Sequence, residues 1–93
     1  MSISVRAIIS GKVQGVWYRQ STLEKAQALG LAGWVRNRSN GDVEALFEGD
    51  AIAVEEALKW CEVGPPLAKV SKVERYDEEP TGIKSPFEIR HTT

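Results

Sequence analysis

The chain has few of the residues that would build a metal site, a disulfide or a membrane segment. Its 93 residues include one cysteine and one histidine. One cysteine cannot form an internal disulfide, and no cluster of cysteine and histidine offers zinc ligands, so we expect a reducing compartment. No run of about eighteen apolar residues occurs, and the first residues lack the apolar core of a signal peptide. We therefore expect a cytoplasmic protein without a membrane partner, with Cys61 as a small core residue.

The chain also lacks a strong charge of either sign, its formal net charge being −1. Proteins that bind nucleic acid gain much of their affinity by neutralising many phosphates, so nucleic acid is not an expected partner. Any anion must instead be bound locally. With 42% hydrophobic and 27% charged residues, the composition is that of a small globular protein. We expect residues 1–93 to form one domain and to act as a monomer.

The apolar pattern of the first thirty residues predicts a strand and then a helix. Alternate residues from Ile3 to Ile9 are apolar, which is the period of a strand with one buried face. Apolar residues then recur at helical spacing from Thr22 to Leu29. Gly30 follows them and is typical of a left-handed helix stop.

The next segment predicts a hairpin of two antiparallel strands. Residues 32–37 and 43–49 are rich in apolar and aromatic residues, and both are strand-like. Between them the pair Asn40 and Gly41 is a strong hairpin signal.

The last third of the chain predicts a helix and two more strands. Asp50 is a favourable N-cap, and the helix after it must end by residues 64–66, which read Gly-Pro-Pro. Residues 68–78 supply a fourth strand, in which two valines three residues apart indicate a bulge or a late start. Residues 77–86 are expected to form a surface loop, and residues 87–91 alternate as a short terminal strand.

This order of elements is that of the ferredoxin-like βαββαβ sandwich, an α+β fold. Right-handed crossovers place both helices on one face of an antiparallel sheet, and the terminal strand is a short addition. The fold hosts enzymes, metabolite sensors and RNA binders, so the function must be inferred from the site.

The connection between the first strand and the first helix has the composition of an anion-binding loop. Gly11 and Gly15 let backbone N–H groups turn toward a ligand, and successive N–H groups near a helix start favour negative charge. Arg19 adds a planar fork that matches phosphate or carboxylate oxygens. No Ser, Thr, Asp or Asn lies between Gly15 and Arg19 to cap the helix, so its free donors need water or an oxyanion. A tight turn with a surface arginine is the alternative.

Two segments resemble the signature motifs of the acylphosphatase family. Residues 11–19 read Gly-Lys-Val-Gln-Gly-Val-Trp-Tyr-Arg. Residues 33–43 read Gly-Trp-Val-Arg-Asn-Arg-Ser-Asn-Gly-Asp-Val, and Gly49 follows at the family's spacing. Chance agreement with the six fixed positions of the first motif is on the order of one in ten million per starting point. Segments 64–70 and 87–90 are also similar to the family, so the likeness covers nearly the whole chain.

The resemblance implies a hydrolase without metal or cofactor that cleaves an acyl phosphate, a carboxylic-phosphoric mixed anhydride, to a carboxylate and inorganic phosphate. It implies two catalytic residues, Arg19 to bind the phosphoryl oxygens and Asn37 to orient the attacking water. It also implies a backbone cradle for the phosphoryl group, formed by Lys12, Val13, Gln14, Gly15 and Val16. Tyr18 departs from the family, where phenylalanine is usual, and this leaves the packing beside Arg19 open.

The absence of certain reactive side chains from these motifs agrees with such a reaction. They contain no paired carboxylates, no cysteine nucleophile and no histidine base. A site of this kind suits a leaving group that departs unaided, as a carboxylate does whose conjugate acid has a pKa of about 4. His91 is interpreted as a surface residue. Glu44, Glu48 and Asp50 are interpreted as a solvated face and a helix cap rather than as a magnesium site.

Two other functions remain open at this point. A module that holds phosphate or carboxylate without turnover would need Arg19 and the loop but not Asn37. A single-stranded RNA binder on the same fold would need exposed aromatics on the central strands and a basic surface, and the pattern shows neither.

The tryptophans and two further arginines have no assigned role. Trp17, Trp34 and Trp60 are expected to pack in the core or at its edge, although they could line a substrate mouth. Arg36 and Arg38 either raise the positive potential near the site or belong to a solvated strand face.

Overall fold

Seven elements make up the fold, in the predicted order. The computed structural model describes residues 2–83 and 85–93; residues 1 and 84, which belong to the predicted domain, lie outside the described residues. The elements are β1 (Ser2–Lys12), α1 (Tyr18–Ala28), β2 (Ala32–Asn37), β3 (Val43–Asp50), α2 (Ala51–Cys61), β4 (Lys69–Glu78) and β5 (Glu88–Ile89). Neither helix in this part of the chain is long and apolar enough to cross a membrane.

The five strands form one sheet in the order β4-β1-β3-β2-β5. The predicted antiparallel pairing holds for β1 to β4, whereas β5 pairs in parallel with β2 and places Ile89 opposite Val35. The direction of β5 follows from where the chain leaves β4. Glu78 ends that strand opposite Ser4, at the end of the sheet where β2 begins, so the returning chain runs along β2 from its start.

One extra residue in β4 explains the irregular pattern of that strand. Ser10 faces Lys72 and Gly11 faces Val70, so Ser71 is left between them as a bulge. The bulge puts both valines of the strand on the face that packs against the core. The predicted bulge is therefore confirmed. A Cβ on Gly11 would collide with the backbone of β4, which explains the glycine at this position.

The core lies between one face of the sheet and the two helices. Its strand residues include Val5, Ala7, Ile9, Val35, Val43, Ala45 and Phe47, and its helix residues include Tyr18, Ala26, Val54, Ala57, Leu58 and Cys61. Cys61 is fully buried, as predicted. Burial raises the pKa of its thiol to about 12, so the thiol stays protonated at neutral pH.

The two predicted helix boundaries are confirmed by their hydrogen bonds. Asp50 Oδ2 accepts from the backbone N–H groups of Ile52 and Ala53, at 3.1 and 3.4 Å, and so caps α2. At the end of α1, Gly30 adopts a φ of +71° and Leu31 N donates across it to the last turn.

The helix-free face of the sheet differs from its prediction. Glu44 is only 6% exposed because Arg6 and Arg36 approach its oxygens, at 3.3 and 2.8 Å. Glu48 is 4% exposed and is covered by the backbone of residues 81–83. The interpretation of these two glutamates as a solvated face is wrong, because partners far along the sequence bind both carboxylates.

Candidate active site

A cavity of about 370 Å³ opens where the loop after β1 meets the start of α1, the end of β2 and β5. It brings together the two predicted catalytic residues, Arg19 and Asn37. The other lining residues are Val13, Gly15, Trp17, Tyr18, Gln20 and Ile89. None of these described lining residues is an Asp, Glu, His or Cys. Within residues 2–83 and 85–93, no three such side chains lie close enough together to hold a metal ion.

The loop and the first turn of α1 present a run of free backbone donors. From Gln14 to Gln20, no backbone N–H donates to another described residue, and α1 has no side-chain cap, as predicted. The first helical bond runs from Ser21 N to Trp17 O, at 3.0 Å. Gly15 adopts a φ of +73° and Trp17 a φ of +65°. Left-handed residues before a helix start build concave groups of N–H donors, and the helix dipole makes them favourable for an anion.

Arg19 is the second residue of α1 and is partly buried at the cavity wall. Its guanidinium makes no hydrogen bond or ion pair with the rest of the described chain, whereas Arg6, Arg36 and Arg75 each pair with a glutamate. A guanidinium offers five donors in a fixed plane. Those of Arg19 are available for a ligand in the cavity.

Asn37 is the last residue of β2. Its Oδ1 atom is buried and finds no hydrogen-bond partner among the described residues. Buried polar atoms nearly always have a partner, and at the wall of a cavity that partner can be a water or a substrate. The amide is therefore placed to bind a molecule that enters the cavity.

Gln14 connects the loop to the hairpin that follows Asn37. Its side-chain Nε2 donates to Arg38 O and to Asp42 O, both at 2.8 Å. The motif predicted only a backbone role for Gln14, and this side-chain bridge was not predicted. No local pattern signals it, because the two carbonyls are 24 and 28 residues away along the chain.

The five residues of the predicted cradle occupy different surroundings. Lys12 ends β1, where it is paired with β4, and it does not line the cavity. Val13 and Gly15 line the cavity, Gln14 binds the hairpin, and Val16 is buried in the core. The free donors thus include most of the predicted cradle and continue into α1.

Tyr18, the position where the family usually has phenylalanine, ties the start of α1 to the end of α2. Its hydroxyl is buried and donates to Cys61 O at 2.7 Å. Pro65, four residues after Cys61, has no N–H to offer that carbonyl, so the hydroxyl fills the place of a helical donor. Burial raises the pKa of Tyr18, which keeps it a neutral donor. The hydroxyl group that distinguishes Tyr18 from phenylalanine thus has a hydrogen-bond partner within the protein.

The tryptophans divide into two groups. Trp34 is 9% exposed and Trp60 is partly buried against the core, as predicted. The same prediction is wrong for Trp17, which is 74% exposed and lines the cavity. Trp17 precedes α1 in a left-handed conformation, which carries its side chain away from the core. Ile89 is a second lining residue that the sequence analysis did not identify.

The described residues of the helix-free face lack one feature that RNA recognition needs, exposed aromatic residues on the central strands. Arg36 and Arg90 cover the Trp34 ring, at 4.7 and 5.0 Å from its centroid. In the described chain, the central strands β1 and β3 expose no aromatic residue on this face. Arg36 belongs to this face rather than to the cavity, and neither Arg38 nor the exposed His91 lines the cavity.

Known acylphosphatases are similar to the chain over most of its length. The family model described as acylphosphatase matches residues 5–89. An acylphosphatase of Rubrobacter xylanophilus is 52% identical over 86 residues, which cover 92% of this chain and 78% of the relative. One of Acaryochloris marina is 55% identical over 87 residues, covering 94% and 92%. The solved structure of an acylphosphatase from Coxiella burnetii superposes with a TM-score of 0.91 at 37% identity, covering 96% of this chain and 93% of that one. The chain therefore belongs to the acylphosphatase family.

Proposed function

We propose that Arg19, Asn37 and the loop Lys12–Val16 form the active site of this chain. Acylphosphatases hydrolyse acyl phosphates to a carboxylate and inorganic phosphate, and the chain is an enzyme of this kind. One observation carries the site assignment: residues with free backbone donors, an arginine with an unpaired guanidinium and Asn37, whose amide oxygen has no partner, line one cavity. An anionic phosphoryl group and a water molecule would satisfy all three.

The phosphoryl group binds to the loop and to Arg19. The free N–H groups between Gln14 and the first turn of α1 donate to its oxygens, and the positive end of the helix dipole favours its charge. Arg19 donates to two oxygens at once through its planar fork. Because these groups are held in place before the substrate arrives, they stabilise the charge that spreads over the phosphoryl oxygens in the transition state.

Asn37 orients the attacking water. Its Oδ1 accepts a hydrogen bond from the water, which directs a lone pair of the water oxygen toward phosphorus. A bond between that oxygen and phosphorus forms as the bond between phosphorus and the carboxylate oxygen breaks. The carboxylate leaves with the bonding electron pair and needs no proton, since the pKa of its conjugate acid is about 4.

The substrate's own phosphoryl oxygen accepts the proton of the water. This assignment is supported by the lining of the cavity, in which no described residue is an Asp, Glu or His. We expect a pH-rate profile that follows the ionisation of the substrate. A profile that required a protein group with a pKa of its own would contradict the assignment.

The first experiment compares four proteins with benzoyl phosphate as substrate and EDTA present. We expect rapid hydrolysis by the parent and its loss in Arg19→Ala and in Asn37→Ala, with folding verified by circular dichroism. Arg36→Ala is the matched control, because this guanidinium pairs with Glu44 on the other face of the sheet. It should keep the parental rate. A folded parent that binds phosphate without turnover would identify a binding module instead.

Phosphate inhibition separates the roles of the two catalytic residues. We expect Arg19→Ala to lose most of its affinity for inorganic phosphate, because the guanidinium binds the phosphoryl oxygens. Asn37→Ala should keep an inhibition constant close to that of the parent, because the amide binds the water. An Asn37→Ala protein that lost phosphate affinity but turned over bound substrate normally would exclude the role assigned to Asn37.

We also propose that the chain acts as a single-domain monomer in the cytoplasm. One core joins both helices to the sheet, and the free Cys61 thiol within it suits a reducing compartment. Sedimentation at micromolar protein concentration tests the monomer, and a dimer would exclude it.

A further inference from the structure

We propose that Trp17 and Ile89 form an apolar subsite for the acyl group, which makes the enzyme prefer aromatic acyl phosphates to acetyl phosphate. This inference rests on the proposed function, because it needs the phosphoryl group in the cradle beside Arg19. Both side chains line the same cavity as Arg19 and Asn37. An acyl phosphate has a charged head and an acyl body, and the cavity offers a polar centre with an apolar wall.

Trp17 occupies its position at two free-energy costs. Its large apolar side chain is 74% exposed, so packing in the core does not explain it. Its φ of +65° is the one positive φ outside glycine in the described chain, and bulky residues rarely adopt it. Its ring has no aromatic or cationic partner within the described residues. A ligand stacked on the ring would account for the exposure and the left-handed conformation of Trp17, which packing within the fold does not explain.

Ile89 places a second apolar surface on the same side of the site. It lies opposite Val35 in the parallel pair of β5 and β2. Neighbouring residues of paired strands project to the same face of the sheet, and alternate residues of a strand do so too. Ile89 therefore shares a face with Asn37, two residues beyond Val35, and it is 38% exposed there.

The size and chemistry of this wall favour an aromatic acyl group. A tryptophan ring offers a flat face against which another ring can stack, and the exposed edge of an isoleucine adds contact area. A methyl group as small as that of acetyl phosphate covers little of either surface. The two leaving groups differ in reactivity in the same way in every variant, so a change in the ratio of the two substrates on substitution reports on Trp17 and Ile89.

The test compares benzoyl phosphate with acetyl phosphate. We expect Trp17→Asn to lower the benzoyl-to-acetyl ratio of kcat/KM about tenfold, and Ile89→Thr to lower it about threefold. Asparagine tolerates the left-handed conformation, so this variant removes the ring with little strain. Trp17→Phe should keep most of the preference. Ile52→Thr, at a 79% exposed isoleucine of α2 outside the cavity, is the matched control and should leave the ratio unchanged.

Three outcomes would overturn the inference. An unchanged ratio in both Trp17→Asn and Ile89→Thr, with an active parent, would exclude the subsite and leave the proposed function intact. Equal losses for both substrates with a weaker inhibition by phosphate would show that Trp17 acts through the cradle. A folded parent that hydrolysed neither substrate would refute the proposed function, and the subsite with it.

Discussion

The helix starts at the two ends of the sheet are satisfied in opposite ways. At one end, where Asn37 pairs with Val43, the residues Gln14–Gln20 and Asn37 hold free donors and an unpartnered oxygen; we name this the site end. At the other end, where β3 finishes, Glu48 accepts hydrogen bonds from residues 81–83 and Asp50 Oδ2 caps α2; we name this the closed end. Both ends contain the start of a helix. The closed end supplies its helix with a carboxylate, whereas the site end supplies none.

This difference separates a structural role from a functional one. Asp50 satisfies the first N–H groups of α2 with its own oxygen, and Glu48 accepts bonds from the backbone of residues 81–83. Such contacts stabilise the fold and occupy the first free N–H groups of α2. The start of α1 forgoes that stabilisation, and its donors remain free for an external anion. The start of a helix thus serves stability or binding according to the side chain and the backbone conformation of its cap residue, which is left-handed at Trp17 (φ +65°) and not at Asp50 (φ −58°).

The largest effect on activity is expected from substitution of Arg19, at the site end. Loss of a preorganised donor to a transition-state oxygen typically costs ~3 to 4 kcal/mol. We therefore expect kcat/KM for benzoyl phosphate to fall at least about a hundredfold in Arg19→Ala. Arg19→Lys should be nearly as poor, because lysine keeps the charge and loses the fork. An Arg19→Lys rate within about tenfold of the parent would contradict bidentate binding.

Two glycines, one before α1 and one after it, form a matched pair that tests whether anion binding is confined to the site end. Gly15 and Gly30 have nearly the same φ, +73° and +71°, and a Cβ on either would meet no atom within 4 Å. Each substitution to alanine should cost about 1 kcal/mol of stability through backbone strain alone. We expect only Gly15→Ala to raise the inhibition constant of phosphate, about tenfold, because only this loop donates to the anion. Equal inhibition constants in the two variants would place the cradle elsewhere.

A smaller effect is expected at the closed end, and it should appear in stability rather than activity. Asp50→Ala removes the acceptor for Ile52 N and Ala53 N, which typically costs ~1 kcal/mol. For a protein of this size, the melting temperature should fall by about 4 to 8 °C. We expect kcat/KM at 25 °C to stay at the parental value. A loss of activity without a loss of stability would contradict the purely structural role assigned to the start of α2.

The smallest predicted effect is the pH dependence of stability due to Glu48. Burial opposes its ionisation, but the hydrogen bonds from Thr81 and Gly82 outweigh burial and hold its pKa below the usual range. The unfolded chain therefore binds the proton more tightly, so this contribution is complete above the ordinary glutamate pKa of about 4.3 and is lost as the pH falls through the folded pKa.

Urea unfolding of Glu48→Gln and the parent between about pH 6 and pH 3 checks this sign. We expect the variant to be less stable near pH 6 and to lose less stability on acidification. Glu79→Gln, at an exposed residue just before the 81–83 segment, serves as the control and should follow the parental curve. Parallel curves for parent and Glu48→Gln would show that the carboxylate contributes nothing that depends on pH.

Much of the fold was predictable from local patterns, and the candidate site residues were predicted from the resemblance of two segments to family motifs. The Asp50 cap, the Gly30 stop and the bulge in β4 each depend on residues a few positions apart, whose backbone preferences are written in the residue types. The motif around Arg19 and the one around Asn37 are likewise continuous segments. Such features can be predicted without knowing which distant residues they will contact.

The remaining features depend on residues that meet only after the chain has folded. Gln14 reaches the hairpin, Glu48 meets residues 81–83, and the return of the chain from β4 makes β5 run parallel to β2. The exposure of Trp17 also had no local signal, because a tryptophan before a helix packs or projects according to what lies beside it. Local periodicity predicts which elements form, but contacts between distant segments determine which polar groups are satisfied and which stay free to act.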